Sequence, residues 1–171
     1  MGKAIVAGVG PIEGLGASLC VRFAEEELHV IASGRTQSKL EKVVQRIESE
    51  GGSAEAFVAD STDEAATEAL FDKAGSELEL AIYNTGNNTP GRISDMTAEY
   101  FEQSWRVCCL GGFLFGREAI RRWKAAGLSG TLLFTGASAS LRGRANFGAF
   151  NSSKGALRNL AQAMAKEYAP D

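Results

Sequence analysis

Near its start the chain reads Gly8-Val9-Gly10-Pro11-Ile12-Glu13-Gly14-Leu15-Gly16. This stretch closes the apolar run of residues 4–9 and opens the helical pattern of residues 14–27. Glycine permits a tight turn and a close approach of the backbone to an anion, and a helix N-terminus presents free N–H groups. The context predicts a phosphate-binding turn between a strand and a helix, with binding positions Gly10, Ile12, Gly14, Leu15 and Gly16. A purely structural role of the glycines is the alternative.

Short apolar runs alternate with longer helical patterns along the whole chain. This alternation is typical of repeated βα units, which build a parallel sheet covered by helices on both faces. The predicted strands are residues 4–9, 29–33, 54–58, 78–83 and 131–135. The predicted helices are residues 14–27, 38–50, 63–75, 97–126 with a break near Gly111-Gly112, and 147–168. A doubly wound α/β sheet with strand order 3-2-1-4-5 is expected, with ligand at the carboxyl ends between strands one and four.

The composition indicates one packed globular domain, residues 1–171. Hydrophobic residues make up 44% and charged residues 23% of the 171 residues, as in an average globular protein. The net charge of −3 gives no basic field for nucleic acid or for an anionic membrane surface. No apolar stretch is long enough for a signal peptide or a membrane span, so a cytoplasmic protein is expected.

The cysteine and histidine content argues against metal and hydrolase chemistry. The three cysteines, Cys20, Cys108 and Cys109, match neither a disulfide framework nor a zinc site, so no metal is expected. The single histidine, His29, falls inside a predicted strand, which argues against Ser/His/Asp catalysis.

The end of the second predicted strand bears on the choice of nucleotide. An acidic residue at this place would hold the ribose 2′-hydroxyl of NAD, but the sequence has Ser33-Gly34-Arg35-Thr36. Arg35 offers a bidentate contact to a 2′-phosphate and Ser33 a further hydrogen bond, so NADP is predicted rather than NAD. The alternative is a solvated arginine that caps a loop.

Several motifs together resemble the short-chain dehydrogenase/reductase family. The spacing of Gly10, Gly14 and Gly16 is similar to the family's TGxxxGxG, with Val9 in place of the threonine. Tyr83-Asn84-Thr85-Gly86 resembles the family's NNAG, in which Asn84 and Gly86 match. Asp60, followed by Ser61, resembles the aspartate that contacts the adenine ring, although a helix N-cap is an equal alternative. The resemblance implies that these positions line a nucleotide cleft.

The catalytic tetrad of that family, Asn, Ser, Tyr and Lys, is only partly matched. Phe150-Asn151-Ser152-Ser153-Lys154 reproduces the YxxxK spacing, so Phe150 stands at the tyrosine position and Lys154 at the lysine position. Ala137 stands at the serine position, where Ser138 or Ser140 could substitute, and Cys108 stands at the asparagine position. Phenylalanine has no titratable proton, so it cannot be the general acid or base.

The resemblance implies a Rossmann-like fold whose last strands would follow residue 171. It further implies an atypical NADP-dependent oxidoreductase that acts on a small carbonyl or alcohol compound. A catalytically inactive NADP-binding or assembly module is the alternative. A methyltransferase is disfavoured because Arg35 and Lys154 have no task toward a sulfonium ligand.

The resemblance also bears on self-association. The family pairs subunits through two long helices, here residues 97–126 and 147–168, so a homodimer or homotetramer is expected. The candidate contact residues are Phe101, Trp105, Leu114, Leu160 and Met164.

Overall fold

The computed structural model describes residues 1–169 and contains one five-stranded parallel sheet. Its strands are β1 (Lys3–Ala7), β2 (His29–Gly34), β3 (Ser53–Val58), β4 (Leu78–Tyr83) and β5 (Thr131–Phe134). All four strand pairs are parallel, and the order is β3-β2-β1-β4-β5. The predicted doubly wound sheet and its strand order are confirmed.

Over residues 1–169, six α-helices connect and cover the strands. They are α1 (Leu15–Glu25), α2 (Gln37–Ser49), α3 (Glu64–Ala74), α4 (Ala98–Trp105), α5 (Gly111–Ala126) and α6 (Gly148–Tyr168). The long predicted helix over residues 97–126 is interrupted, as expected, by a π-helical turn over Arg106–Leu110, immediately before Gly111. β1 ends two residues earlier than predicted because Gly8, with a φ of 90°, turns the chain out of the strand.

The core consists of two apolar layers, one on each face of the sheet. β1 supplies both layers, because successive side chains of a strand point to opposite faces. Ala4 and Val6 lie in the layer that α1 and α2 cover, and Ile5 and Ala7 in the layer that α3 and α5 cover. Because β1 is buried on both faces, it reads as the continuous apolar run Ala-Ile-Val-Ala rather than as an alternating one.

The strand order places an open crevice at the carboxyl ends of the strands. β1 pairs with β4, and the chain leaves β1 toward the face that α1 covers and β4 toward the face that α5 covers, so the loops at their carboxyl ends diverge. Within residues 1–169, no helix is long and apolar enough to cross a membrane.

Candidate functional site

A pocket of about 250 Å³ lies at the crevice between β1 and β4. It is lined by residues from the carboxyl ends of four strands, from the π-helical turn, and from α3 and α5: Ala7, Gly8, Val9, Gly10, Ser33, Gly34, Arg35, Ala59, Asp60, Ser61, Thr67, Leu70, Asn84, Thr85, Gly86, Val107 and Phe115. We call it the nucleotide pocket. The strand order predicts a ligand site at this place.

The glycine turn forms one wall of the nucleotide pocket. The N–H groups of Gly8 and Val9 both donate to the carbonyl of Ser33 at 2.9 Å, which ties the turn to the end of β2. A β-carbon at Gly16 would lie 2.8 Å from the Gly8 carbonyl oxygen, so only glycine lets α1 pack this closely on the turn. A β-carbon at Gly10 would meet nothing within 4 Å, so its place opens into free space. This turn leaves room for a ligand at the start of α1.

The predicted binding positions of the turn occupy different places. Gly10 lines the nucleotide pocket, whereas Ile12, Gly14, Leu15 and Gly16 do not belong to its lining. Gly14 is the N-cap of α1 and carries no side chain that could occupy the free N–H groups of the first turn. Leu15 is 56% exposed. Any contact of these four residues with a phosphate would therefore come from the backbone at the helix N-terminus.

The end of β2 brings an arginine to the nucleotide pocket. Arg35 lines it, and the preceding residue has to be glycine, because a β-carbon at Gly34 would lie 2.3 Å from the Val9 carbonyl oxygen. Ser33 also lines the pocket but is only 3% exposed. Its carbonyl is occupied by the glycine turn, so Ser33 has a structural task besides the predicted contact with the ligand.

Asp60 supplies a carboxylate near Arg35. Its Oδ1 accepts hydrogen bonds at 2.8 Å from both the N–H and the hydroxyl of Thr62. The backbone hydrogen bond from Thr62, and to a lesser extent the charges of Arg35 and Arg106, lower the pKa of Asp60 below its usual value. The helix N-cap that was the alternative for Asp60 is instead Asp63, whose carboxylate accepts from the N–H of Ala66.

The Asn84 side chain forms hydrogen bonds to two neighbouring strand ends beside the crevice. Its Nδ2 donates to the Gly8 carbonyl at 3.2 Å, and its Oδ1 accepts from the Thr135 hydroxyl at 2.8 Å. The side chain therefore joins the ends of β1, β4 and β5. Tyr83, one residue earlier, is fully buried and donates to the Val107 carbonyl at 2.6 Å, and its hydroxyl also lies 3.1 Å from the Ser61 Oγ. Burial raises the pKa of Tyr83 to about 12, so this phenol is not a candidate general acid or base at neutral pH.

Lys154 is a buried cation between two loops. Its Nζ donates to the carbonyls of Thr85 at 3.0 Å and Thr135 at 2.9 Å, and the residue is 4% exposed. Burial lowers the pKa of Lys154 below its usual value. An ammonium group has three donors, so one donor remains after these two bonds. The lysine is held at the junction of β4, β5 and α6.

Phe150 and Cys108 lie close to Lys154 but offer little acid–base chemistry. The Phe150 ring centre is 6.0 Å from the Lys154 Nζ. Cys108 is fully buried in the π-helical turn. Burial raises the pKa of the Cys108 thiol, so it is protonated at neutral pH. Cys108 thus packs in the interior as a small apolar side chain.

A second pocket, of about 510 Å³, lies beside the first. It is lined by Asn88, Ala137, Ser138, Ala139, Arg142, Gly143, Arg144, Phe147, Phe150 and Asn151. We call it the substrate-side pocket. Gly86 lines the nucleotide pocket, and a β-carbon there would lie 3.7 Å from the Phe150 ring and 3.4 Å from Lys154 Cε. The two pockets therefore meet at Gly86.

The structure brings Ser138 and Phe150 into the same pocket, while Ser140 does not line it. Sequence reasoning missed Arg142, Arg144, Asn88 and Asn151 as lining residues. The only signal for them was two arginines spaced by one glycine shortly before the Phe150 motif.

His29 lies at the amino ends of the strands, away from the crevice. It is the first residue of β2, and its Nδ1 lies 2.7 Å from the Ser53 Oγ and its Nε2 3.2 Å from the Glu55 carboxylate. The two pockets lie at the carboxyl ends of the strands, so His29 takes no part in them. Among residues 1–169, no group of histidine, cysteine or acidic side chains has the arrangement of a metal site.

Known proteins share this sequence and this architecture. A short-chain dehydrogenase from Rhodopseudomonas palustris is 38% identical and superposes with a TM-score of 0.92, over 99% of this chain and 79% of that one. A glucose 1-dehydrogenase from Gluconobacter oxydans is 30% identical over 171 residues, which are 98% of this chain and 64% of that protein. A versicolorin reductase from Emericella nidulans is 30% identical over 166 residues, 95% of this chain and 61% of that protein.

The chain thus spans about three fifths of the length of these two curated relatives. The family model described as short chain dehydrogenase matches residues 3–171. The match agrees with the resemblance that the glycine spacing and the Phe150–Lys154 spacing predict. The chain belongs to the short-chain dehydrogenase family.

Proposed function

We propose that this chain binds NADP(H) in the nucleotide pocket and acts as an oxidoreductase on a small carbonyl or alcohol compound in the substrate-side pocket. The observation that carries the proposal is Arg35 at the end of β2, facing a pocket built on the glycine turn. At the end of β2, where a carboxylate would hold the 2′-hydroxyl of NAD, stands a guanidinium that suits a 2′-phosphate.

The residues present fit such a nucleotide. The open space at Gly10 and the uncapped N-terminus of α1 suit a pyrophosphate. Thr62 holds the carboxylate of Asp60 through its N–H and its hydroxyl, and the Arg35 guanidinium supplies the positive charge for a phosphate near that carboxylate. The remaining donor of Lys154 would bind the hydroxyls of the nicotinamide ribose. NADPH, when bound, supplies the hydride.

The residue that would donate the proton differs from the tyrosine of the family's catalytic tetrad. Phe150 has no dissociable proton, and none of the three tyrosines lies in the substrate-side pocket, as far as residues 1–169 are concerned. The proton for a reduced carbonyl oxygen then comes from the Ser138 hydroxyl, from water or from the substrate itself. General acid–base help typically contributes ~100- to 10,000-fold, so turnover is expected to be slow. Nucleotide binding without any turnover in a carbonyl-reduction screen would favour the inactive module.

Calorimetric titration with NADPH and NADH tests the choice of nucleotide. The wild-type chain is expected to bind NADPH more tightly than NADH. Arg35→Ser should weaken NADPH binding by about tenfold or more and leave NADH binding nearly unchanged, because only NADPH carries the phosphate that the guanidinium contacts.

Arg158→Ser is the matched control, because Arg158 is an exposed arginine of α6 that lines neither pocket. It should leave both affinities as they are. An Arg35→Ser chain with an unchanged ratio of the two affinities would contradict the NADP assignment. A folded wild-type chain with no affinity for either nucleotide would contradict the proposed function.

A further inference from the structure

The substrate-side pocket has an unbalanced positive charge. Arg142 and Arg144 both line it, and no acidic residue does. Within the part of the chain that the structure describes, neither arginine forms an ion pair. Two guanidinium groups without a carboxylate partner create a field that attracts an anion.

Local hydrogen bonds fix the backbone that carries these arginines. The N–H of Arg142 donates to the Ser138 carbonyl at 3.2 Å, at the end of a 3-10 turn over Ser138–Ser140. The carbonyl of Arg144 accepts from the Asn151 Nδ2 at 2.9 Å and from the Phe147 N–H at 3.3 Å. Hydrogen bonds thus fix the backbone of Arg142 and Arg144, while the side chains of both residues are exposed.

One guanidinium is also positioned by a ring. The Arg144 Cζ lies 4.8 Å from the centre of the Phe147 ring, which is a stacking distance. Stacking uses the face of the guanidinium and leaves its N–H edge free for a planar or tetrahedral anion. The pocket therefore combines a donor edge for an anionic group with the apolar rings of Phe147 and Phe150 for the rest of a ligand.

The anion is not expected to be the nucleotide. The phosphate positions of the proposed nucleotide lie at the glycine turn and Arg35, which line the nucleotide pocket, and neither Arg142 nor Arg144 lines that pocket. The two arginines instead share their pocket with Ser138 and Phe150, the residues nearest to the proposed chemistry. We infer that the carbonyl or alcohol substrate of this chain is anionic, and that Arg142 and Arg144 bind its carboxylate or phosphate group.

This inference rests on the proposed function for the identity of the pocket, and paired probes test it. Benzoylformate is compared with its neutral methyl ester, and dihydroxyacetone phosphate with dihydroxyacetone. Each is titrated calorimetrically into the chain saturated with NADP⁺, which cannot donate a hydride, so binding is read without turnover. At least one charged probe should bind about tenfold or more tightly than its neutral partner, and added salt should weaken it. The pair that shows the difference tells a carboxylate from a phosphate.

Variants locate the site. Arg142→Gln and Arg144→Gln should each weaken the charged probe by about tenfold and leave NADP⁺ affinity unchanged, since a charge-assisted hydrogen bond is lost. Arg158→Gln serves as the control and should change nothing. Equal binding of charged and neutral probes, no binding of either anion at millimolar concentration, or full binding by both arginine variants would overturn the inference.

The NADP⁺ titration of the same samples keeps the two hypotheses apart. A chain that fails to bind NADP⁺ contradicts the proposed function, and the probes are then titrated into the free chain. Preference for a charged probe that depends on Arg142 and Arg144 would still support the anion site in that case.

Discussion

Asp60 shows how a single side chain can make stability depend on pH. Its folded pKa is lowered, chiefly by the backbone hydrogen bond from Thr62, from an ordinary value of 3.8. A proton therefore binds more tightly to the unfolded chain, and acid favours unfolding. The stabilisation is complete above the unfolded pKa and is lost as the pH falls through the lower folded value.

Asp60→Asn should accordingly lower the free energy of unfolding by a constant amount between about pH 7 and pH 5, and by less near pH 3. The effect is expected to stay below about 1 kcal/mol, because the carboxylate is solvent-exposed and its interactions are screened. Urea unfolding of both chains across this pH range measures it. If the difference in free energy of unfolding between the two chains does not shrink at low pH, the assignment of the lowered pKa to Asp60 is contradicted.

Which site residues could be predicted depended on whether a spacing rule exists for them. Arg35 and Lys154 follow from fixed positions after a strand and in a helix. Arg35 lines the nucleotide pocket, and Lys154 donates to the carbonyl of Thr85, which also lines it. Arg142 and Arg144 lie in an irregular segment, where the path of the chain is set by hydrogen bonds such as that from Asn151 to the Arg144 carbonyl. Bonds of this kind leave no periodic pattern in a sequence, so the substrate-side pocket could not be foreseen.

At the level of elements, the π-helical turn over Arg106–Leu110 and Tyr83 form one unit. The Tyr83 hydroxyl donates to the Val107 carbonyl inside the turn. A β-carbon at Gly111 would lie 2.1 Å from that hydroxyl and 2.7 Å from the Ser61 carbonyl oxygen. Glycine at the start of α5 therefore makes the space that a tyrosine at the end of β4 needs.

Gly111→Ala is predicted to destabilise the chain by about 1–3 kcal/mol, because the added methyl group overpacks this contact. Gly155→Ala in α6 is the control, since its β-carbon would meet only the Ser140 carbonyl oxygen at 3.9 Å. The control should stabilise the chain by up to about 1 kcal/mol, from the higher helix propensity of alanine. Urea midpoints compare the two, and equal effects of both substitutions would contradict the steric argument.

The sequence could place the interruption of the long helix but not its form. The glycine pair at residues 111 and 112 predicts a break, and the break lies directly before Gly111. The π-helical turn contacts Tyr83 of β4 through the Val107 carbonyl. Such a long-range contact is not visible in the helical periodicity of residues 97–126.

For the whole molecule, alternation of apolar runs and helical patterns was enough to predict the strand order. Right-handed crossovers leave few arrangements for five βα units, and the observed order is the doubly wound one. The location of the nucleotide pocket follows from that order. The substrate-side pocket does not, because irregular segments after β4 and β5 and the first turn of α6 form it, and no residue of the strands lines it.

Self-association through residues 97–126, which form α4, the π-helical turn and α5, and through α6 is the prediction for the assembled molecule. Of the five candidate contact residues, Leu114 and Met164 are 6% and 9% exposed and belong to the interior, and Leu160 is half-buried. Phe101 and Trp105 are 45% and 41% exposed on α4. Light scattering should give the mass of a dimer or tetramer. Trp105→Asp should lower the number of subunits in the assembly, because the substitution places a charge in an apolar contact. A wild-type mass equal to one 18.1 kDa chain would contradict the prediction.

A crystal structure of the chain with NADPH shows whether the glycine turn and Arg35 hold the nucleotide. We expect the 2′-phosphate at the Arg35 guanidinium, the pyrophosphate on the backbone N–H groups around Gly10 and Gly14, and the nicotinamide ribose at Lys154. A nucleotide bound away from the glycine turn, or a 2′-phosphate that makes no contact with Arg35, would contradict this expectation.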